Sequence, residues 1–307
     1  RASENDGAVS LYTDEYIANY RRNNYLDPDA YPIIDWQDQL MTGNGFTHNH
    51  TLSMSAGSER IRVMTSLGYL DQNGIIKNAN FKRYNLRNNM DIRMNDRLNF
   101  RLDIAATYSR RAANPYQSSV FGFMNSKDPL MLAQWSDGSY APFTGGTVNP
   151  LPMIEQGVGG NNIRQNGVLK ASAALEYKPV QWLTLEVKAA PQLTAVKTHR
   201  FVDLVEYHSD PYGTVSKTSN AEYNSLDETV TAAWNGYYHA TAAATRQFGG
   251  HSFKLLVGAS YEEYDYYSLG AYRQEFAYPD YEVISAGGDN EFKDNSGSRT
   301  QMALGSF

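Results

Sequence analysis

From Phe46 onward the chain is dominated by alternation of apolar and polar residues. Between Leu98 and Tyr108, the side chains Leu98, Phe100, Leu102, Ile104, Ala106 and Tyr108 fall on one side, and Asn99, Arg101, Asp103, Ala105 and Thr107 fall on the other. A period of two with this contrast predicts a strand with one apolar and one strongly polar face. The preceding segment repeats the pattern. Tyr84, Leu86, Met90, Ile92 and Met94 share a face broken by Asn88, against Arg83, Asn85, Arg87, Asn89, Asp91 and Arg93. Asn95-Asp96-Arg97 is the turn between them. If Met94 faces Leu98, then Ile92 meets Phe100, Tyr84 meets Tyr108 and Asp91 meets Arg101. One register pairs apolar with apolar and acid with base, which predicts an antiparallel hairpin.

The unit recurs. Leu169, Ala171, Ala173, Leu175 and Tyr177 alternate with polar residues up to a turn at Pro179-Val180-Gln181, and Leu183 to Leu193 runs back as one strand. Val230 to Ala242 and Phe253 to Tyr261 form another pair around Gly249-Gly250, and an earlier pair turns at Ser58-Glu59. The turns near 58, 96, 180 and 250 are tight. The opposite connections are long, over 112–165, 200–225 and 273–297, and only the link near Asn78 is short. The expected fold is all-β: about nine antiparallel strands, with short turns at one end and long loops at the other, as in outer-membrane barrels. A strand of about 11 residues tilted by about 40° crosses a band of about 25 Å. An open sheet of this kind would leave two bare edges in a membrane, so more chain is expected to complete it.

Residues 1–45 differ from the rest. Thr13-Asp14-Glu15 before Tyr16, Ile17 and Tyr20 predicts a short helix capped by Thr13 or Asp14. Asp27-Pro28-Asp29 predicts a turn, and Trp36 to Met41 one more helical turn. This stretch reads as a folded extramembrane loop, with the strand domain occupying 46–307.

Composition narrows the class. The chain has 307 residues, 23 of them Tyr, and a net charge of -6 with both signs scattered. No basic stripe suggests nucleic acid. Without cysteine there is no disulfide framework and no thiolate metal site. Mean hydropathy is -0.55, and no run of about 18 apolar residues predicts a helical span. That leaves a barrel open, because its strands need apolar residues only at alternate positions. No apolar leader follows Arg1, and Gln301 to Phe307 reads as the start of a strand. The expectation is an internal piece of a longer chain, with removal of an export signal as the alternative.

Several segments resemble the SusC/RagA-like family of TonB-dependent transporters. Tyr31-Pro32-Ile33-Ile34-Asp35-Trp36-Gln37-Asp38 is similar to its YPxxDWQD segment. Gly45-Phe46-Thr47-His48-Asn49-His50-Thr51-Leu52-Ser53 resembles GFxxNHxLSxSGGS, with Ala56-Gly57-Ser58 in place of GGS. Ser66 to Ile76 resembles SLGYLDQEGI, and Phe81 to Arg87 the FxRYNLR that follows it. The match is dense over 31–110. The resemblance implies a barrel of about 22 strands around an N-terminal plug, of which this chain covers roughly the first half of the wall. It implies outer-membrane import of glycan or peptide fragments, energised through TonB, beneath a SusD-like surface lipoprotein. The matched segments lie downstream of the family's plug and TonB box.

Candidate sites follow from the loops and the polar face. Sugar rings stack on aromatic faces, with polar groups fixing their hydroxyls. Loop candidates for substrate contact are Tyr116, Phe121, Phe123, Trp135, Tyr140, Phe143, Tyr207 and Tyr212, with Tyr272, Phe276, Tyr278 and Tyr281 farther on. Each competes with the simpler reading that loops fold around their own aromatics. Tyr177, Trp182 and Phe248, near tight turns, read as interfacial girdle residues, and Trp234 and Tyr238 as lipid-facing. Arg83, Arg87, Arg93, Arg101, Asp91 and Asp103 would line the lumen and, by the resemblance, meet the plug. His48-x-His50 has the spacing of two metal ligands but no third nearby, and no metal is expected. Glu262-Glu263 point to opposite faces, and no serine has a GxSxG context, so no catalytic residue and no cofactor are assigned. Gly145-Gly146 and Gly157-Val158-Gly159-Gly160 read as flexible loop, since no helix follows to make a phosphate cradle. Two alternatives stay open: a soluble β-sandwich or adhesin that binds carbohydrate, and a passive porin.

Overall fold

The alternating segments become long antiparallel strands in a computed structural model, which describes residues 13–142, 148–218, 221–289 and 294–306. Helices α1 (Asp14–Leu26) and α2 (Trp36–Leu40) come first. Thr13 caps α1 by accepting from Tyr16 N, and Asp35 caps α2 by accepting from Gln37 N and Asp38 N, which satisfies backbone donors the first turn leaves free. Strands β1 (Phe46–Gly57), β2 (Ile61–Asn73), β3 (Asn80–Asn95) and β4 (Leu98–Ala113) follow. The loop after β4 carries α3 (Val120–Ser126) and α4 (Leu151–Ile154). Next come β5 (Gly160–Val180), β6 (Leu183–Ala189), β7 (Gln192–Val202), a small pair β8 (Glu206–His208) and β9 (Val215–Thr218), and finally β10 (Ser225–Phe248), β11 (His251–Gln274) and β12 (Asp294–Ser306).

Apart from β8 and β9, every strand joins one antiparallel sheet in which neighbours in sequence are neighbours in space. The expected hairpin register holds: Ile92 pairs with Phe100, Tyr84 with Tyr108 and Asp91 with Arg101. Met94 does not pair with Leu98 as expected. A bulge lies between Arg93 and Asn95, and Asn95 is the partner of Leu98. The strand expected from Leu183 to Leu193 is interrupted between β6 and β7. Pro191 has no N–H for the ladder. The register nevertheless runs straight through: Ala189 pairs with Ala173 and Tyr238, and Gln192 with Lys170 and Asn235. β6 and β7 therefore act as one strand between β5 and β10, and the wall has the expected nine positions.

One row shows how the face is built. Leu52, Leu67, Leu86, Ala106, Leu169, Leu193 and Trp234 are successive cross-strand partners. This row is uncovered: Leu52 is 69% exposed, Leu67 49% and Leu169 48%. Among the described residues no second sheet packs on it, so the sandwich alternative lacks the layer it requires there. An apolar face this extensive has to meet something other than water. Tyr69, Tyr84 and Tyr108 close the band toward the long loops, with ring centroids 5.1 and 6.4 Å apart. Toward the short turns, Arg246 lies 5.6 Å from the rings of both Trp182 and Phe248. From Leu98 to Tyr108, ten steps at about 3.3 Å and about 40° of tilt give roughly 25 Å. Among the described residues no helix is long and apolar enough to cross a membrane.

The buried core lies at the long-loop end. Trp36, Leu40, Ile76, Val120, Ala133, Leu151 and Ile154 form one cluster, and Phe201, Leu226 and Phe276 a second. The amphipathic strands give each other hydrogen bonds, while the loops supply a packed interior of their own.

Candidate functional site

Two surfaces can meet a ligand: the polar face of the sheet and the loops above it. On strands β2 to β7 the polar face carries Arg62, Arg83, Arg87, Arg93, Arg101, Arg111, Arg164, Lys170, Lys188 and Arg200, against Asp91, Asp103, Glu176 and Glu186. This excess of positive charge sets up a field that attracts anions. Asp91 is the register partner of Arg101, yet Arg101 Nη2 turns the other way, to Glu186 Oε2 at 2.5 Å. It reaches across β5, where its partner is the small, buried Ala174. Glu186 Oε1 also lies 3.0 Å from His239 Nε2. Arg87 Nε donates to Asn89 Oδ1 at 3.1 Å, and Asn89 Nδ2 donates to Asp103. Arg83 and Arg93 stand on the same face, opposite Ser109 and Asn99.

The loop aromatics divide. Trp135, Tyr140 and Tyr207 come together as structural residues. Trp135 Nε1 donates to the His208 carbonyl at 2.6 Å, and the Tyr140 hydroxyl donates to Glu155. Tyr207 is buried, with its hydroxyl donating to the Asn149 carbonyl at 3.0 Å. Burial pushes both phenols well above the usual tyrosine range, with Glu155 adding to the effect at Tyr140. Phe123 packs on the loop core, and the Lys127 ammonium sits 5.7 Å from its ring centroid. Phe121 on α3 is exposed, and Tyr212, between β8 and β9, is 91% exposed. Tyr116 and Tyr272 line a hollow on the polar side of the wall, Phe276 is buried against Phe201, and Tyr278 and Tyr281 are exposed. Phe143 and Gly145-Gly146 lie outside the described residues. Gly160, at φ +96°, opens β5, and a Cβ there would clash with the Phe201 carbonyl. This glycine serves a close strand approach.

Some residues were not foreseen from the sequence. Asn149 is fully buried and organises the loop: Nδ2 donates to the carbonyls of Ala133 and Ala141, and Oδ1 accepts from Leu151 N. On the apolar side, above the Tyr69–Tyr84–Tyr108 row, His199 Nδ1 lies 2.9 Å from Glu228 Oε1 and Nε2 lies 2.5 Å from Glu282 Oε2. Asn161 Nδ2 donates to the same Glu282. This clip holds the segment after β11 against β5 and β7. Trp234 and Tyr238 do lie on the apolar face, but Trp234 Nε1 and the Tyr238 hydroxyl both donate to Glu263 there. His48 Nδ1 lies 3.2 Å from His50 Nε2. Among the described residues no group of three or more His, Asp or Glu is placed to hold a metal.

Asp203, next to the clip, has its carboxyl raised above the usual range by burial, with Glu282 and Asp280 adding to the shift. The folded loop therefore binds this proton more tightly than the unfolded chain does. Local stability should fall as pH rises from the ordinary carboxylate value through the raised one. Asp203→Asn keeps the acceptor for Leu204 N and removes the charge. It is expected to slow proteolysis of the 203–224 loop at neutral pH and to make no difference at about pH 3, below both carboxyl values. Faster cleavage of the variant at neutral pH would contradict this account.

No family model matches the chain. It is similar to TonB-dependent receptor P26 of Formosa agariphila, 27% identical over 248 residues that cover 77% of this chain and 23% of that protein. It is also similar to TonB-dependent receptor SusC of Bacteroides thetaiotaomicron, 40% identical over 50 residues, 16% of this chain and 5% of that one. The chain thus spans about a quarter or less of the length of these relatives. Its fold matches the RagAB peptide importer in the closed-closed state with a TM-score of 0.66 at 18% identity, covering 89% of this chain and 30% of that one. The RagAB peptide transporter gives 0.65 at 17% identity, covering 94% and 34%.

Proposed function

We propose that this chain, a segment of a SusC-like TonB-dependent receptor, forms part of an outer-membrane barrel wall through which an oligomeric nutrient is imported. The observation that carries the reading is the single sheet with two unlike faces. One face is predominantly apolar, uncovered and bounded by aromatic rows, and the other is charged. Only a wall between lipid and a water-filled lumen satisfies both. Residues 1–45 and the long loops stand on the outer side of the membrane, and further strands pair with the free edges of β1 and β12. A SusD-like lipoprotein sits over the loops, and TonB supplies the energy through a plug. The cargo is a glycan or a peptide fragment, and the wall performs no chemistry on it.

The full-length protein should stay monodisperse only in detergent or lipid. A stable, detergent-free monomer would refute the membrane reading. The loop between β4 and β5 is the part of this chain that meets the lipoprotein or the ligand. Replacing 114–159 by a short turn should leave membrane insertion intact while weakening ligand capture about tenfold or more, as expected when several buried contacts are lost. Unchanged uptake and unchanged lipoprotein binding would sink that assignment.

A further inference from the structure

We propose that the hollow at the long-loop end of the polar face is a subsite for the carboxylate of an acidic ligand, with Arg200 as the cation that receives it. The hollow has a volume of about 300 Å³, the lower end of ligand-site sizes and enough for one sugar ring or one amino-acid residue. Its floor is built from β7, β10 and β11: Arg200 and Tyr272 lie in one cross-strand row, through Asp227, and Val202, Ser225 and Gln274 in the next. Tyr116 and Tyr223 from the adjoining loops complete the wall.

Three features point to a carboxylate. First, Arg200 forms no ion pair among the described residues, although Asp227 is its register partner. Arg101, lower on the same face, is held by Glu186. A planar guanidinium free to present two parallel donors matches a carboxylate bidentately. Second, Gln274 Nε2 donates to the Tyr272 hydroxyl at 2.7 Å. The hydroxyl oxygen is the acceptor there, so its own proton is available to a ligand oxygen. Third, Tyr116, Tyr223 and Tyr272 offer aromatic faces to whatever carries the acid. Glu222 stands at the rim and holds the Tyr223 phenol above its usual range. Its charge opposes a dense polyanion and leaves room for a single carboxylate at the Arg200 end.

The carboxylate could belong to a uronic-acid sugar or to a peptide C-terminus. The inference rests on the import reading, and the test separates the two. The full-length protein in detergent is titrated calorimetrically with a galacturonate trimer and its carboxyl-reduced form, and with a tripeptide and its C-terminal amide. At least one acidic probe should bind about tenfold or more tightly than its neutral partner, the size expected for a hydrogen-bonded charge. Which pair discriminates identifies the source. Arg200→Gln should erase the discrimination, Arg200→Lys should restore part of it, and Arg60→Gln, in the short turn between β1 and β2 at the far end of the wall, should leave it unchanged. Equal binding of acidic and neutral probes, no binding of either acid, or discrimination that survives Arg200→Gln overturns the subsite. Insertion of the same preparations into lipid vesicles is scored in parallel. Normal insertion without discrimination refutes the subsite alone, whereas failure of the wild type to need detergent refutes the import reading beneath it.

Discussion

Leu102→Arg should prevent most of the full-length protein from assembling in lipid vesicles, while Ala105→Arg on the same strand should assemble normally. Leu102 lies near the middle of the apolar band of β4, between Met90 and Ala173. Ala105 is three residues away on the polar face, between Arg87 and Lys170. An arginine at the bilayer midplane costs about 2–4 kcal/mol on the lipid face of a barrel, falling to about 0–1 near the interfaces. Tyr108→Arg, in the aromatic row, should therefore be milder than Leu102→Arg. The folded fraction recovered from vesicles, read by heat-modifiable electrophoretic mobility and by urea titration, gives the order of the three. Equal loss at 102 and 105 would mean that the two faces do not meet different media.

The second large effect is expected in the loops. Trp36 is 4% exposed, packs in the main loop cluster and donates from Nε1 to the Asp128 carbonyl at 3.0 Å. Trp36→Ala removes a large buried ring and one of the two donors to that carbonyl, which keeps Met131 N. About 3–5 kcal/mol of local stability should be lost. Asn149→Ala, which removes the side-chain donor to the carbonyls of Ala133 and Ala141 while Ala133 keeps Ala141 N, should cost about 1–3 kcal/mol. Hydrogen exchange across 114–159 should accelerate in both, more in Trp36→Ala. Amides of β3 and β4 within the apolar band should keep their protection, because the sheet is stabilised by its own ladder and its surroundings. Parallel loss of protection in band and loop would show that the two do not unfold separately.

These expectations draw unequally on sequence and structure. The hairpin register at Ile92–Phe100 and Tyr84–Tyr108 was legible because alternation is local and a shift by one residue would reverse the faces. The caps Thr13 and Asp35 were legible or nearly so, since a cap acts within three residues. The bulge at Arg93 to Asn95 was not, because the turn can be closed with or without it. The interruption at Pro191 was hidden by a register that continues through it. The roles of Tyr207 and Asn149 were beyond reach, since each depends on segments more than fifty residues apart meeting in one loop core. The same holds for Arg101, whose partner Glu186 lies across an intervening strand. Arg200 could have been placed on the polar face by the two-residue period it shares with Thr198 and Val196, but only the folded wall shows that it forms no ion pair among the described residues.

The unbroken strands from β1 to β11 lengthen, from 12 and 13 residues in β1 and β2, through 16 in β3 and β4 and 21 in β5, to 24 in β10 and β11. The tight turns after β1, β3, β5 and β10 lie at one end, with the short link near Asn78 at the other, so with those turns level the added length emerges at the long-loop end. At about 3.3 Å per residue and about 40° of tilt, the β10–β11 hairpin rises roughly 30 Å higher than β1–β2. This stretch of rim is oblique, like part of the bevelled tip of a needle. A bevel has a larger aperture than a square end of the same bore, and it faces sideways. On this stretch of wall the β10–β11 hairpin stands tall beside the low β1–β2 side, with the Arg200 hollow set into its polar face.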